Sequence, residues 1–310
     1  MRNNKKAFHS TLLVITAFIW GVAFVAQSEG GETIGAYSFS CVRYFIGAGV
    51  LLPVIKFLDS LGLTKRRPVT RQEKRTLFVA GICCGVCLCF ASIFQQLGLY
   101  LGTSSGKAGF LTACYIIFVP ILGLFMKKRC HCNIWISIII TLIGLYLLCV
   151  HEGFSIRTSD LMVLACSFLF ALHILTIDHF IDRVDVVRMS CIQFLTAGLL
   201  ACIPMFWFDM HHSFHGIKLW VIPFASWNAW IPLLYAGVLS SGVGYTLQTI
   251  GQQDVHPVIA SLLLSLESVF SVLAGWMILG EQLTIRELFG CMLIFIAVII
   301  VQLPTTKSYD

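Results

Sequence analysis

Apolar residues run through this chain in blocks of about the length that a helix needs to cross a hydrocarbon core, roughly 20 residues. Short polar segments separate them. Ten such blocks are predicted, at 9–27, 35–57, 77–97, 104–126, 133–150, 158–177, 188–208, 229–250, 257–280 and 284–303. They predict an all-α integral membrane protein of ten transmembrane helices with no room for a soluble domain. The first block has a basic start (Arg2, Lys5, Lys6), and Ala26-Gln27-Ser28 is similar to a cleavage site. Its apolar run exceeds the usual 7–15 residues of a signal peptide, so a retained helix is expected.

The blocks repeat. Displacing the chain by 150 positions puts Phe18-Ile19-Trp20-Gly21 on Phe168-Leu169-Phe170-Ala171, Cys41 on Cys191, Arg43 on Gln193 and Ala48 on Gly198. At 153 positions Gln95 meets Gln248, Gly98 meets Gly251, Thr112 meets Ser265, Ser137 meets Gly290 and Gly144 meets Ala297. The expected units are a five-helix repeat over 1–152 and a second over 153–310. An odd number of spans per repeat makes the second enter the membrane in the opposite sense. Such inverted repeats can rock about a site near the midplane, giving alternating access.

Composition narrows the class. Apolar residues make up 58% of the 310 and charged residues 12%, where soluble domains carry about 25% charge. A soluble enzyme, a disordered chain and a nucleic-acid binder are excluded. With the N-terminus inside, cytoplasmic segments hold sixteen Lys and Arg, against Lys107, Arg157, Lys218 and Arg286 outside. This bias places both termini in the cytoplasm and the chain in a cell membrane. The 13 cysteines are scattered through apolar runs, where a thiol behaves as a small hydrophobe.

Several short motifs then stand out: Trp20-Gly21, Arg43, the stretch from Ser104 to Thr112, Ser265-Leu266-Glu267-Ser268-Val269-Phe270, Gly280-Glu281 and Gly290. On these the chain resembles the drug/metabolite transporter superfamily, in its EamA-type branch of ten-helix carriers. The resemblance implies a central cavity bounded by spans one to four and six to nine, with the fifth and tenth helices peripheral. It also implies export. The chain departs from that pattern at Ser268, where proline often follows the glutamate, and at Lys127-Lys128-Arg129, where Gly-Glu is common.

Ionisable groups inside spans cost about 2.5–3.5 kcal/mol at a helix centre, so they face a bundle interior or water. Arg43 and Glu267 sit at comparable depth with opposite sign. Either they contact substrate or carry a coupled proton, or they form a structural pair; Glu267 is the coupling candidate. Ser261, Ser265, Ser268, Ser271 and Gly275 share one arc of an ideal helix, which suits close packing or a wet wall. Gln95, Gln193 and Gln248 offer amides to a polar substrate. Thr112 and His173 offer further polar contacts, and Pro120 can bend its helix. Trp20, Phe24, Tyr44, Phe90, Phe94, Tyr115 and Tyr245 supply aromatic surface. The substrate-binding candidates are therefore Trp20, Arg43, Gln95, Thr112, His173, Gln193, Tyr245, Gln248, Ser265, Glu267 and Ser268. His211, His212, His215 and the Cys130-His131-Cys132 run give no closed set of four ligands, so no metal and no cofactor are expected.

The predicted function is secondary transport of a small amphipathic metabolite, such as an amino acid or a related compound. No Walker-type Gly-x-x-x-x-Gly-Lys-Ser/Thr motif is present to drive it with ATP. The predicted partners are that solute and the bilayer, with no nucleic acid, and a homodimer is compatible with the pattern. The alternative is a membrane-embedded enzyme, or a receptor or scaffold without transport. No His-Glu-x-x-His motif or nucleophile elbow supports the enzyme.

Overall fold

A computed structural model describes residues 2–62, 64, 66–103, 105–125, 132–149, 157–274, 276–277 and 284–302. Among them the chain is all-helical. The helices are α1 (Arg2–Ile34), α2 (Ala36–Ser60), α3 (Arg71–Tyr100), α4 (Ser105–Ala113), α5 (Tyr115–Phe125), α6 (Cys132–Cys149), α7 (Thr158–Phe180) and α8 (Val186–Pro204). There follow α9 (Phe214–Val221), α10 (Trp227–Leu234), α11 (Thr246–Gly251), α12 (Pro257–Leu264), α13 (Glu267–Ala274) and α14 (Ile285–Gln302). A π-helical stretch, Tyr235–Tyr245, joins α10 to α11.

Seven of the described helices are long and apolar enough to cross a membrane, and an eighth arises if Phe214–Ala225 and Trp227–Asp254, bent by 82°, are one span. The described apolar part of the fifth predicted span, Asn133–Leu148, is shorter than that. The Cys130-His131 and Gly280-Glu281 positions lie outside the described residues. The fourth and ninth predicted spans each run on as one apolar stretch, Lys107–Phe125 and Pro257–Ala274, interrupted by a short tight turn. Around Cys114, bonds run from Cys114 N to Leu111 O and from Ile117 N to Cys114 O, both closing three-residue turns. Leu266 N to Leu263 O and Ser268 N to Ser265 O do the same in the ninth. These tight turns fall within two residues of one another under the 153-position displacement. The break also means that the serines of the ninth span do not follow one continuous helical arc.

Close approaches of backbone draw the helices together. A Cβ on Gly144 would stand 2.8 Å from the Gly290 carbonyl oxygen, and one on Gly290 would stand 2.6 Å from that of Gly144, so α6 and α14 meet backbone to backbone. Small residues at a crossing permit this contact in lipid. Between α2 and α8, Cys41 Sγ donates to Gly198 O at 3.5 Å and Cys191 Sγ donates to Ala48 O at 3.7 Å. The pair is antiparallel, because numbers rise in one helix as they fall in the other. Each contact is also the repeat image of the other, the reciprocity that a two-fold axis produces.

Polar contacts cap the two ends of this pair. Ser38 donates from N and Oγ to Asp209 Oδ2, both at 2.6 Å, and Arg188 Nη2 donates to Asp59 Oδ2 at 2.6 Å. A displacement of 150 carries Ser38 to Arg188 and Asp59 to Asp209. Lys107 pairs with Asp160 at 2.6 Å at the end of the bundle that holds Ser38. His9 lies 3.3 Å from Asp254 at the end that holds Arg188.

Candidate functional site

Between the fourth and ninth predicted spans and α1 lies a small cavity of about 30 Å³, room for a water or two. One face of α1 supplies Trp20, Ala23, Phe24 and Gln27, spaced at the i, i+3, i+4 and i+7 positions that share a helix side. Arg43 enters from α2 and Gln95 from α3, while Thr112 and Tyr115 flank the break between α4 and α5. Phe170 and Ile174 of α7, Ser240 and Tyr245 of the π-helical stretch, Gln248 of α11, Leu264 and Glu267 complete it. α6 and α14 contribute no lining residue, in keeping with the peripheral placement expected of them.

Local structure explains how these side chains arrive. Gly21 has no room for a Cβ, which would stand 2.7 Å from Glu267 O. Its bare backbone lets α13 lie against α1 beside Trp20. The π-helical stretch holds the opposite wall. Trp20 Nε1 donates to Ser240 O at 3.2 Å, Thr16 Oγ1 donates to Gly244 O at 3.3 Å, and Tyr235 Oη donates to Ile19 O at 2.9 Å. Stretches of π-helix recur at functional sites. The Trp20 and Tyr245 rings lie 4.5 Å apart, forming one aromatic wall.

The two charges at the cavity do not pair with each other. Glu267 Oε1 accepts from Tyr115 Oη at 3.1 Å. Arg43 Nη1 donates to Gln27 Oε1 at 2.8 Å and Nη2 to Tyr44 Oη at 3.2 Å. The Tyr44 ring lies 4.9 Å below the guanidinium carbon. Tyr44 Oη in turn meets Ser92 Oγ. Gln95 Nε2 donates to Thr112 Oγ1 at 3.1 Å. Arg43 Nε and Gln248 Oε1 are buried and make no hydrogen bond to protein. A buried polar group without a partner costs about 1–3 kcal/mol, so these two atoms call for water or a ligand.

Of the residues singled out from the sequence, Trp20, Arg43, Gln95, Thr112, Tyr245, Gln248 and Glu267 line the cavity. Four others do not. His173 Nε2 and Gln193 Oε1 lie 3.0 Å apart in a buried contact between α7 and α8. Ser265 Oγ donates to Leu262 O in its own turn, and Ser268 Oγ donates across to Gly109 O at 3.0 Å. For Ser268 the close-packing reading of the serine row therefore holds. Gln27, Ala23, Phe170, Ile174, Ser240 and Leu264 were not expected. Gln27 stands two helical turns past Trp20 on the same face, a signal masked by its place in a cleavage-like tripeptide. Among the described residues no group of three or more His, Cys, Asp or Glu is placed to hold a metal ion. His212 instead stacks on Trp207 at 4.8 Å.

Residues 8–150 and 157–303 each match the EamA-like transporter family. An uncharacterized transporter of Archaeoglobus fulgidus is 28% identical over 300 residues, which is 96% of this chain and 87% of that one. The uncharacterized transporter YoaV of Bacillus subtilis is 24% identical over 290 residues, covering 91% and 92%. One solved structure superposes with a TM-score of 0.72 at 17% identity, over 94% of this chain and 96% of the other, and shows the fold alone.

Proposed function

Because this chain belongs to the EamA-like transporter family, we propose that it is a secondary carrier that moves a small amphipathic metabolite across the cell membrane by alternating access, in the direction of export. An amino acid or a related compound matches the mixed polar and aromatic lining, and the cavity must open further to admit it. The observation that carries this reading is the cavity whose wall combines Arg43 and Glu267 with the rings of Trp20, Phe24, Tyr115 and Tyr245. Polar groups orient such a solute, and rings hold its apolar part.

Two repeats of opposed sense, over 1–152 and 153–310, make up ten spans in this reading. The reciprocal Cys41–Gly198 and Cys191–Ala48 contacts support it, since equivalent helices run antiparallel. So do the tight turns at matched places in the fourth and ninth spans. Both termini are cytoplasmic. The end holding His9, Asp59, Arg188 and Asp254 is then the inner end, and the end holding Ser38, Lys107, Asp160 and Asp209 the outer.

The substrate-binding set is Trp20, Arg43, Gln95, Thr112, Tyr245, Gln248 and Glu267, extended by Gln27 and Tyr115. Glu267 is the proton-coupling group. Flux of radiolabelled amino acids and related metabolites into and out of proteoliposomes tests the function. Counterflow of at least one solute, lost in Arg43→Gln, is the expected result. Absence of flux for every solute in the panel would remove the carrier reading.

A further inference from the structure

Arg43 belongs to two structures at once, the cavity wall and a polar layer above it. At the outer end of the cavity Gln96 Nε2 donates to Gln27 O at 2.7 Å, Arg43 holds Gln27 Oε1, and Tyr44 meets Ser92. This layer ties α1, α2 and α3 together. A second layer ties α7, α8 and the α11 end. There His173 meets Gln193, Ser190 Oγ meets Thr249 Oγ1 at 3.1 Å, and Gln252 Nε2 donates to Ile174 O at 3.4 Å. Members of the two layers correspond across the repeats: Arg43 to Gln193 directly, the others within about a turn. The inner layer is neutral where the outer one carries a guanidinium. Among the described residues that guanidinium has no carboxylate partner, and it is 3% exposed.

We propose that the two layers are the inner and outer gates, and that a carboxylate on the substrate opens the outer one by drawing Arg43 away from Gln27. This rests on the alternating-access reading above and adds the chemical class of the ligand. An uncompensated buried cation is costly, and an anion in the cavity relieves that cost. The free Nε–H and the adjacent Nη2 form the edge that accepts a carboxylate in two parallel bonds. Turning the guanidinium toward that carboxylate also strains the Nη2 bond to Tyr44 Oη, which loosens the layer at a second point. The inner gate, with Gln193 at the matched place, opens without an anion. Loading from inside and ligand-driven opening to outside follow from this asymmetry.

The test uses the full chain in right-side-out vesicles with Ala23→Cys as a cavity reporter. A membrane-impermeant maleimide is applied from outside, and labelling is read by peptide mass. Phenylacetate serves as the carboxylate probe and 2-phenylethanol as its neutral counterpart. Phenylacetate is expected to raise the labelling rate roughly tenfold over the alcohol, the scale of a charge-assisted hydrogen bond. Arg43→Gln should abolish that difference. Gln27→Leu leaves the guanidinium intact, and should raise labelling without any ligand and shrink the response to phenylacetate. An equal response to the two probes, no response to phenylacetate, or a response that survives Arg43→Gln would overturn the proposal. Labelling that occurs but ignores these changes leaves the carrier reading standing. A reporter reached from neither face in any variant would remove both.

Discussion

Glu267 and Tyr115 meet at 3.1 Å, carboxylate and phenol brought together from the two spans that tight turns interrupt. Each residue sits beside its own break, so the contact joins the two discontinuities at the cavity wall. In the carrier proposed above, a carboxylate placed there would take up or release a proton as access alternates. Glu267→Gln keeps the shape and removes the titration. Its transport is expected to fall, and its pH–rate profile to flatten, in a proteoliposome flux assay. A wild-type rate and profile would strip Glu267 of the coupling role.

The Gly144–Gly290 crossing predicts a stability effect remote from the cavity. A valine at 290 would drive side-chain atoms into the Gly144 carbonyl and Leu148. Overpacking of this kind costs about 1–3 kcal/mol. Gly290→Val should lower the thermal midpoint in detergent. A midpoint equal to wild type would show that α6 and α14 part readily.

Gly21 sets the approach of α13 to α1. Gly21→Ala is expected to push Glu267 away from Trp20 and reduce flux, because the new methyl would stand 2.5 Å from Phe270 Cβ and 2.7 Å from the Glu267 carbonyl oxygen. Equal flux in wild type and Gly21→Ala would show that the contact has slack.

Cys41 Sγ and Cys202 Sγ lie 3.5 Å apart across the α2–α8 pair. Copper–phenanthroline oxidation should join them within one chain, read by peptide mass. The repeat relation makes a sharper prediction. Position 52 corresponds to Cys202, and Cys191 to Cys41, so Leu52→Cys should join to Cys191 under the same treatment. Failure of the second link beside success of the first would break the reciprocity.

Sidedness is checked by a single cysteine in each of two loops. Ser213→Cys is expected to react with an impermeant maleimide from outside, and Arg71→Cys from inside. Reaction of both from one face would end the inverted arrangement.

Much of the site was readable in one dimension. Arg43 and Glu267 interrupt apolar runs, and such an interruption is visible without any knowledge of packing. Gln95 and Gln248 were paired by the internal repeat. Gln193, matched to Arg43 by the repeat, and His173, a polar group inside a span, are cavity candidates by sequence and instead bond each other. Sequence shows that a polar group lies at a given depth, but not the rotation of its helix. Gln27 escapes notice because it lies in the cleavage-like Ala26-Gln27-Ser28 tripeptide at the edge of the first predicted span.

By itself, then, the order of residues determined a multi-pass helical protein in two repeats with ionisable groups at mid-depth, because the cost of polar atoms in lipid leaves a linear trace. Tertiary structure alone decided that Arg43 turns to Gln27 and Tyr44 rather than to Glu267, that two spans break beside the cavity, and that Ser268 packs against α4. Those outcomes depend on how helices distant in the chain rotate and cross. Crossing is governed by the fit of backbone and side-chain surfaces, which hydropathy does not encode.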